Sequence, residues 1–144
     1  MGACRQTGGG TVSERQQKIY DVLNQEYQYH ATRGTSVFSI YEQGLKPNKG
    51  IAGVGVYFAP SAEEAKEWTA ETSTGGTFVM RVKTKALKDK YAWGLIDETQ
   101  SYADKKIAAK DIEVQLGKDW VSLAEFVDKR RVSYRAWKAS QGKK

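Results

Sequence analysis

The segment IAGVGVYFAP, from Ile51 to Pro60, constrains the fold more strongly than any other stretch of the chain. It is rich in β-forming residues and carries Gly53 and Gly55 in its interior. Glycine within a strand is typical of places where a ligand or another backbone approaches closely. The dinucleotide-binding pattern G-x-G-x-x-G is not met, because Phe58 occupies the position of the third glycine. The segment therefore predicts a short strand that ends at the proline and that a ligand or another backbone approaches closely.

Helices and further short strands surround this strand. Capping-box patterns, in which a serine is followed three residues later by Glu or Gln, predict helix starts at Ser13, Ser61 and Ser122. Another short helix is predicted to end just before Gly44, since glycine favours the position after a helix. Alternating or β-rich patterns predict strands over residues 26–32, 77–82 and 111–116. For residues 84–106 the pattern indicates only a loop and a short strand. Short strands interspersed with helices predict the α+β fold class.

The predicted C-terminal helix combines an apolar stripe with positive charge. The stripe consists of Leu123, Phe126, Val127, Tyr134 and Trp137. Seven basic residues and one acid lie between Asp128 and Lys144, and the whole chain has a net charge of +6. Such a charge favours an acidic partner, which is nucleic acid, an acidic protein or a phosphate-bearing ligand. The candidates for contact with that partner are Arg131, Arg135 and Lys138, with a solvated helix face as the alternative.

The chain of 144 residues is expected to form one domain over residues 13–144, preceded by a flexible lead over residues 1–12. The lead contains TGGG, which is the composition of a linker. A hydrophobic content of 40% and a charged content of 28% are typical of a globular protein. No apolar run is long enough to cross a membrane, and the N-terminus lacks the apolar core of a signal peptide. We therefore expect no membrane partner.

The chain has few histidine and cysteine residues that could bind a metal or act as a nucleophile. The chain has one histidine, His30, and one cysteine, Cys4. This excludes the His/Cys ligand sets of zinc sites, and a single cysteine excludes an internal disulfide. The P-loop pattern G-x-x-x-x-G-K-[ST] and the nucleophile elbow G-x-S-x-G are also absent. We expect a chemistry that needs no metal.

Three segments occur in an informative order. The first, HATR, begins at His30 and lies in a predicted strand, where His30 and Thr32 share one polar face. The second, IYEQGL, covers residues 40–45 and runs from a helix into a loop. The third, GVGVYFA, contains Tyr57 and leads into a helix that carries Trp68.

Together these segments resemble the NAD-binding half of the ADP-ribosyltransferases, in the His-Tyr-Glu branch that includes diphtheria toxin and the poly(ADP-ribose) polymerases. That branch shows H-G-[ST]-R, then I-x-x-x-G-L, then G-x-G-[IV]-Y-F-A and a helix with a second aromatic residue. The resemblance extends from Tyr29 to Trp68 and departs from the family at Ala31, where glycine is usual. It implies a split β-sandwich of two small antiparallel sheets flanked by helices, and NAD as the co-substrate without a metal.

The resemblance also implies roles for individual residues. His30 would hydrogen-bond a ribose hydroxyl of NAD, and the backbone of Ala31 would clamp the nicotinamide carboxamide. Tyr57 would stack on the nicotinamide, a cationic ring that aromatic faces attract. Trp68 takes the place of the second aromatic residue. The full set implied to bind NAD is His30, Ala31, Thr32, Arg33, Tyr57 and Trp68.

The family's catalytic glutamate lies late in the chain, shortly before the hydrophobic position that opens a further strand. Counting back from Ile107 leads to Glu98, which is our candidate for the catalytic residue. Glu113 and Asp111 are the alternatives. A carboxylate in this role stabilises the oxocarbenium-like sugar that forms when the glycosidic bond breaks, and it positions or deprotonates the acceptor.

The resemblance implies a mono-ADP-ribosyltransferase with a macromolecular acceptor, and the positive charge favours structured RNA over protein as that acceptor. The domain's size and lead resemble the C-terminal toxin domains of bacterial polymorphic effectors of the rearrangement-hotspot type. A secretion system would deliver such a domain into the cytoplasm of a target cell, and a cognate immunity protein would block it. Two alternatives are an NAD-dependent RNA 2′-phosphotransferase and a non-catalytic basic nucleic-acid-binding domain.

Overall fold

An α+β arrangement is present in the computed structural model, which describes residues 13–70 and 77–141, with the backbone alone for residues 68–70. The predicted lead over residues 1–12 lies outside the described residues. The strands are β1 (Tyr27–Arg33), β2 (Asn48–Gly50), β3 (Gly53–Phe58), β4 (Thr77–Lys83), β5 (Gly94–Leu95), β6 (Ser101–Ala103), β7 (Ile112–Leu116) and β8 (Asp119–Ser122). The α-helices are α1 (Glu14–Asn24), α2 (Ser36–Gln43), α3 (Ala62–Ala70), α4 (Thr84–Lys90), α5 (Leu123–Lys129) and α6 (Arg131–Gln141).

The strands form two antiparallel sheets of four strands each. The first sheet has the order β1-β4-β7-β8, and the second has the order β2-β3-β6-β5. In the first sheet His30 lies opposite Met80, and Met80 lies opposite Val114, so these side chains share one face. Met80 and Val114 belong to one hydrophobic core with Val56 and Phe58 of the second sheet. The predicted α+β class with two small antiparallel sheets is confirmed.

The predicted helix starts are confirmed by their caps. The hydroxyl of Ser13 accepts from the backbone N–H of Gln16, and the Gln16 side chain accepts from the N–H of Ser13. The other two serine hydroxyls accept in the same way, from the backbone N–H groups of Glu64 and Glu125. Each cap satisfies an N–H group that a helix start leaves without a partner. None of the described helices is long and apolar enough to cross a bilayer.

Gly44 ends α2, as predicted, and its conformation is needed there. Its φ is +84°, a region that residues with a side chain rarely adopt. A Cβ at this position would lie 2.8 Å from the carbonyl oxygen of Ile107. The next residue, Leu45, exchanges two backbone hydrogen bonds with Ile107, both 2.9 Å long. The glycine therefore lets the end of α2 approach the segment before β7.

The face of β1 that carries Gln28, His30 and Thr32 points inward, although its polar residues are typical of an exposed face. The side chain of Gln28 is fully buried, and Thr32 is 8% exposed. The amide of Gln28 donates to the Val22 carbonyl at 2.9 Å and to the Thr84 hydroxyl at 3.1 Å. These bonds satisfy the NH₂ group of the amide, while its carbonyl oxygen has no partner among the described residues. His30 and Thr32 share a face, as predicted, and that face is directed to the interior.

The C-terminal helix predicted from Ser122 is in fact two helices. Helix α5 ends at Lys129, and Arg130, with φ −116° and ψ 33°, leaves the helical conformation before α6 begins. The prediction of one helix was wrong because the apolar periodicity continues across a single non-helical residue. Tyr134 and Trp137 still pack on Phe38, with ring centroids 5.6 Å and 5.9 Å away.

Candidate functional site

The two sheets separate beside His30. Tyr29 and Ala59 exchange two backbone hydrogen bonds, of 2.9 Å and 2.7 Å, and they form the one described bridge between β1 and β3. One residue further, the Nδ1 of His30 bonds the carbonyl oxygen of Tyr57 at 2.7 Å. A carbonyl only accepts, so Nδ1 carries the proton, and the Nε2 of the neutral ring is an acceptor. His30 thus stands in the opening between the strands, which we call the split.

The backbone of Ala31 faces the split. In an antiparallel strand the N–H and C=O of one residue point to the same edge, and this edge repeats every second residue. Tyr29 directs both groups to Ala59, so Ala31 directs both groups toward β3 as well. No backbone hydrogen bond joins Ala31 to β3 in the part of the chain that the structure describes. A donor and an acceptor are therefore presented side by side in the split.

The side chain of His30 is half-buried and contacts an aromatic ring. Its ring meets the edge of Phe58, with centroids 6.1 Å apart and planes at 66°. Burial, which disfavours the charged imidazolium, lowers the pKa of His30 below its usual 6.5, and the hydrogen bond to the Tyr57 carbonyl raises it in part. The ring is consequently neutral at physiological pH, and its Nε2 is ready to accept a hydrogen bond from a ligand.

Since His30 is the one histidine of the chain, a pH-dependent stability near pH 6 can be assigned to it. Its folded pKa is below its unfolded pKa, so the unfolded chain binds the proton more strongly between the two values. The stabilisation is complete above pH 6.5 and is lost as the pH falls toward the folded pKa, with a maximal slope of about 1.4 kcal/mol per pH unit. Urea unfolding between pH 7.5 and 5 measures this. His30→Gln should flatten the dependence; an equal slope in both proteins contradicts the assignment.

Tyr57 is fixed at both ends of its side chain. Its hydroxyl donates to the Gly53 carbonyl at 2.6 Å and accepts from the Ala52 N–H at 2.9 Å, so it ties the turn between β2 and β3. Its ring lies so close to Gly50 that a Cβ there would be 2.4 Å from a ring carbon. Tyr102 of β6 stacks on the same ring, with centroids 5.6 Å apart and planes at 19°. The aromatic surface is preorganised before any ligand arrives.

The remaining residues implied to bind NAD are placed less uniformly. Thr32 is on the face of His30, and Arg33 is exposed at the end of β1. Trp68 lies in α3, which packs on β1 and β4 through the buried Ala65, while the Trp68 side chain lies outside the described residues. The structure therefore brings His30 and Ala31 beside the backbone of Tyr57 and leaves the role of the second aromatic residue as a prediction.

Glu98 lies in the loop between β5 and β6. Its carboxylate accepts from the guanidinium of Arg15 at 3.2 Å. Its own backbone N–H first, and then Arg15, lower the pKa of Glu98, so the group is ionised at neutral pH. The strand that follows, β6, pairs with β3 and sets Ser101 opposite Phe58. Glu98 thus belongs to the hairpin beside the strand of Tyr57.

The two alternative acids lie elsewhere. Glu113 is on the outer face of the first sheet, opposite Arg81, and bonds the Arg81 guanidinium at 2.7 Å. This is the face opposite to that of His30, because successive residues of a strand alternate. Asp111 accepts from the hydroxyl of Tyr91 at 2.5 Å and pairs with Lys90. Although burial raises the pKa of Asp111, these two partners lower it overall.

The candidate acceptor residues of α6 divide into two kinds. Arg131 and Arg135 line a groove of about 240 Å³ together with Tyr41 and Tyr134. Lys138 forms an ion pair with Glu42, which also accepts from the Tyr134 hydroxyl. Lys138 therefore links α6 to α2. Arg131 and Arg135 are exposed as well, and Arg131 pairs with Asp128 at 3.9 Å.

Tyr102, which stacks on Tyr57, could not be identified from the sequence. Its strand lies in the stretch for which no clear pattern was found, and three residues are too few to show an alternation. The aromatic residue in SYAD was the available indication, since aromatic pairs across strands are common. The described residues contain no group of three or more side chains arranged to hold a metal ion.

Comparison with known proteins adds no assignment to this geometry. The site is defined by three residues from two strands and by the aromatic pair beside them. No protein-family model matches the chain, and no curated protein is significantly similar to it.

Proposed function

We propose that the protein is an NAD-dependent mono-ADP-ribosyltransferase of the His-Tyr-Glu branch that binds nicotinamide in the split. The observation that carries the proposal is the hydrogen bond from His30 Nδ1 to the Tyr57 carbonyl. This bond joins two of the residues that the resemblance implies to bind NAD. It also closes the end of a site that offers an imidazole acceptor and an aromatic ring.

The backbone of Ala31 suits a primary carboxamide. A carboxamide has one carbonyl acceptor and an NH₂ donor on the same carbon, and it pairs with a backbone N–H and C=O that lie side by side. The Ala31 side chain does not take part in this pairing, so alanine replaces the usual glycine without loss of the two hydrogen bonds. The clamp would orient the nicotinamide relative to Tyr57.

The aromatic pair suits the charge of the ligand. Nicotinamide in NAD is a cationic ring, and aromatic faces attract cations by about 1 kcal/mol or more when water is excluded. The stacked rings of Tyr57 and Tyr102 form such a surface, and the hydroxyl bonds of Tyr57 prevent it from rotating away. Binding would therefore require little ordering of the protein.

The reaction itself breaks one bond and forms another. The bond between the ribose C1′ and the nicotinamide nitrogen breaks, and nicotinamide leaves with the electron pair as a neutral ring. The oxocarbenium-like C1′ then accepts an electron pair from the acceptor, which releases a proton. The ionised carboxylate of Glu98 would stabilise the positive sugar and receive that proton.

Labelled NAD incubated with a whole-cell lysate tests the proposal directly. We expect label to appear on a macromolecule and nicotinamide to be released. Binding of RNA without consumption of NAD would instead indicate a nucleic-acid-binding domain. That alternative is less well supported, because Tyr134 and Trp137 pack on Phe38 and are not free to stack on bases.

Tyr57→Ala should weaken NAD binding by about 1–3 kcal/mol, the scale of an aromatic stacking contact. Isothermal titration calorimetry measures this change. Tyr57→Phe keeps the ring, so it should retain most of the affinity. Tyr20→Ala removes an aromatic residue that is 63% exposed on α1 and serves as the matched control. Unchanged affinity in a folded Tyr57→Ala protein would exclude the stacking role.

For the acceptor we propose structured RNA, with the groove of Arg131 and Arg135 as its contact surface. Phosphate contacts release counterions, so RNA association should weaken steeply as salt rises, whereas NAD binding should change little. Arg131→Glu with Arg135→Glu should reduce RNA labelling and leave NAD hydrolysis intact. Label that resists ribonuclease but is released by protease would show that the acceptor is protein.

The biological setting follows from the same proposal. A compact transferase behind a glycine-rich segment suits a toxin domain that a secretion system delivers into the cytoplasm of a target cell. A cognate immunity protein would then cover the split. Coexpression with candidate immunity genes from the same locus, scored by restored growth, tests this setting.

A further inference from the structure

Arg130 carries a cationic group that the fold leaves incompletely satisfied. Its Nε is buried and has no hydrogen-bond partner among the described residues. A buried N–H of a charged group without a partner is costly, and native proteins rarely keep one without a reason. Over residues 13–70 and 77–141 no ion pair to Arg130 is found either. The residue is partly exposed and its terminal nitrogens are not among the buried unpartnered atoms, so an anion can reach the guanidinium through them.

Two aromatic rings hold the guanidinium in place. Its central carbon lies 4.7 Å from the ring centroid of Phe126 and 5.0 Å from that of Phe78. The two rings pack edge to face, 5.2 Å apart, and Phe126 is completely buried. The backbone break between α5 and α6 occurs at Arg130 itself. The group is therefore preorganised by packing.

The guanidinium lies on the face of the first sheet that His30 occupies. Phe78 is directly opposite Thr32 in the pairing of β1 with β4, so these two side chains share a face. Thr32 follows His30 by two residues and shares that face too. Arg130 packs on Phe78. It consequently lies over β4, next to Thr32 and on the face of the first sheet that His30 also occupies.

We propose that Arg130 binds the diphosphate of NAD, an inference that rests on the proposed function. The ribose whose hydroxyl His30 would hold is attached to the diphosphate through its 5′ oxygen, so a cation is needed near His30 and Thr32. The planar fork of a guanidinium matches the oxygens of a phosphate better than an ammonium does. The terminal nitrogens of the guanidinium, which are not buried, would donate to the phosphate oxygens.

Calorimetric titration with NAD, ADP-ribose and nicotinamide tests this role. Arg130→Met keeps an apolar stem on Phe78 and Phe126 but removes the fork. It should weaken NAD and ADP-ribose binding by about 10- to 100-fold, as for loss of a charge-assisted hydrogen bond, and leave nicotinamide binding unchanged. The affinity of Arg130→Lys for NAD and ADP-ribose should lie between those of Arg130→Met and the wild type. Lys129→Met, an exposed neighbour, should bind all three ligands like the wild type.

The outcomes separate the two proposals. Wild-type protein that binds NAD, together with an Arg130→Met variant of equal affinity, overturns the role of Arg130 and leaves the proposed function standing. Nicotinamide binding weakened as much as NAD binding also overturns it, because the substitution would then act by distorting the split. Wild-type protein that binds none of the three ligands overturns both. If Arg130→Met does not fold, Arg130→Lys provides the test. This variant should bind ADP-ribose more weakly than the wild type does and bind nicotinamide equally well. If its affinity for ADP-ribose equals that of the wild type, the role of Arg130 is overturned.

Discussion

Glu98→Gln should lower the rates of NAD hydrolysis and of ADP-ribose transfer by about 100-fold, while the affinity for NAD changes little. Glutamine keeps the size of the side chain and removes the negative charge. The charge matters only when the sugar becomes positive, so the loss should appear in kcat. Release of nicotinamide at saturating NAD, alongside calorimetric binding, measures both quantities.

Two variants sharpen this prediction. Glu113→Gln is the matched control, because Glu113 bonds Arg81 on the face of the first sheet opposite to that of His30. It should leave the rate near that of the wild type. Arg15→Gln releases Glu98 from its ion pair and tests whether that pairing restrains the carboxylate. Normal turnover in Glu98→Gln combined with loss of turnover in Glu113→Gln would assign the catalytic role to β7.

Phe58→Ala should lower the free energy of unfolding by about 3–5 kcal/mol, the usual cost of a large cavity in a packed core. Phe58 is completely buried, shares the core with Met80 and Val56, and meets the edge of His30. Because β3 carries Phe58 on one face and Tyr57 on the other, the cavity lies under the proposed site. Urea unfolding at pH 7.5 measures the loss.

Val54→Ala provides the comparison for Phe58→Ala. Val54 is on the same strand but is 63% exposed, so its truncation should change the free energy of unfolding by less than about 0.5 kcal/mol. A similar loss of unfolding free energy in both variants would mean that truncation destabilises β3 at exposed and buried positions alike. A loss below about 1 kcal/mol in Phe58→Ala would mean that the core collapses around the missing ring.

Much of the secondary structure could be predicted, because it depends on neighbouring residues. Ser13 and Gln16 satisfy each other's backbone within one helical turn, so the start of α1 is visible in the sequence. Gly44 ends α2 through its own backbone freedom. The alternation of Ile112 and Val114 predicted their burial for the same reason. In each case the partners are close in the chain.

Other features could not be predicted, because their partners are distant. The buried amide of Gln28 donates to the Val22 carbonyl and to the hydroxyl of Thr84, and Thr84 lies 56 residues away at the start of α4. Strand β6 is only three residues long and exists because it pairs with β3. Neither the partner nor the register of such a strand is encoded in its own few residues.

The sequence by itself determined the helix starts with serine caps, the longer strands, the shared face of His30 and Thr32, and the candidate residues. These follow from helix caps, glycine conformations and strand alternation, all of which act over a few residues. Only the tertiary structure decided that β1 and β3 separate beside His30, that Tyr102 stacks on Tyr57, and that the guanidinium of Arg130 reaches that same face. These contacts join residues far apart in the chain, so they depend on how the two sheets pack and not on any local pattern.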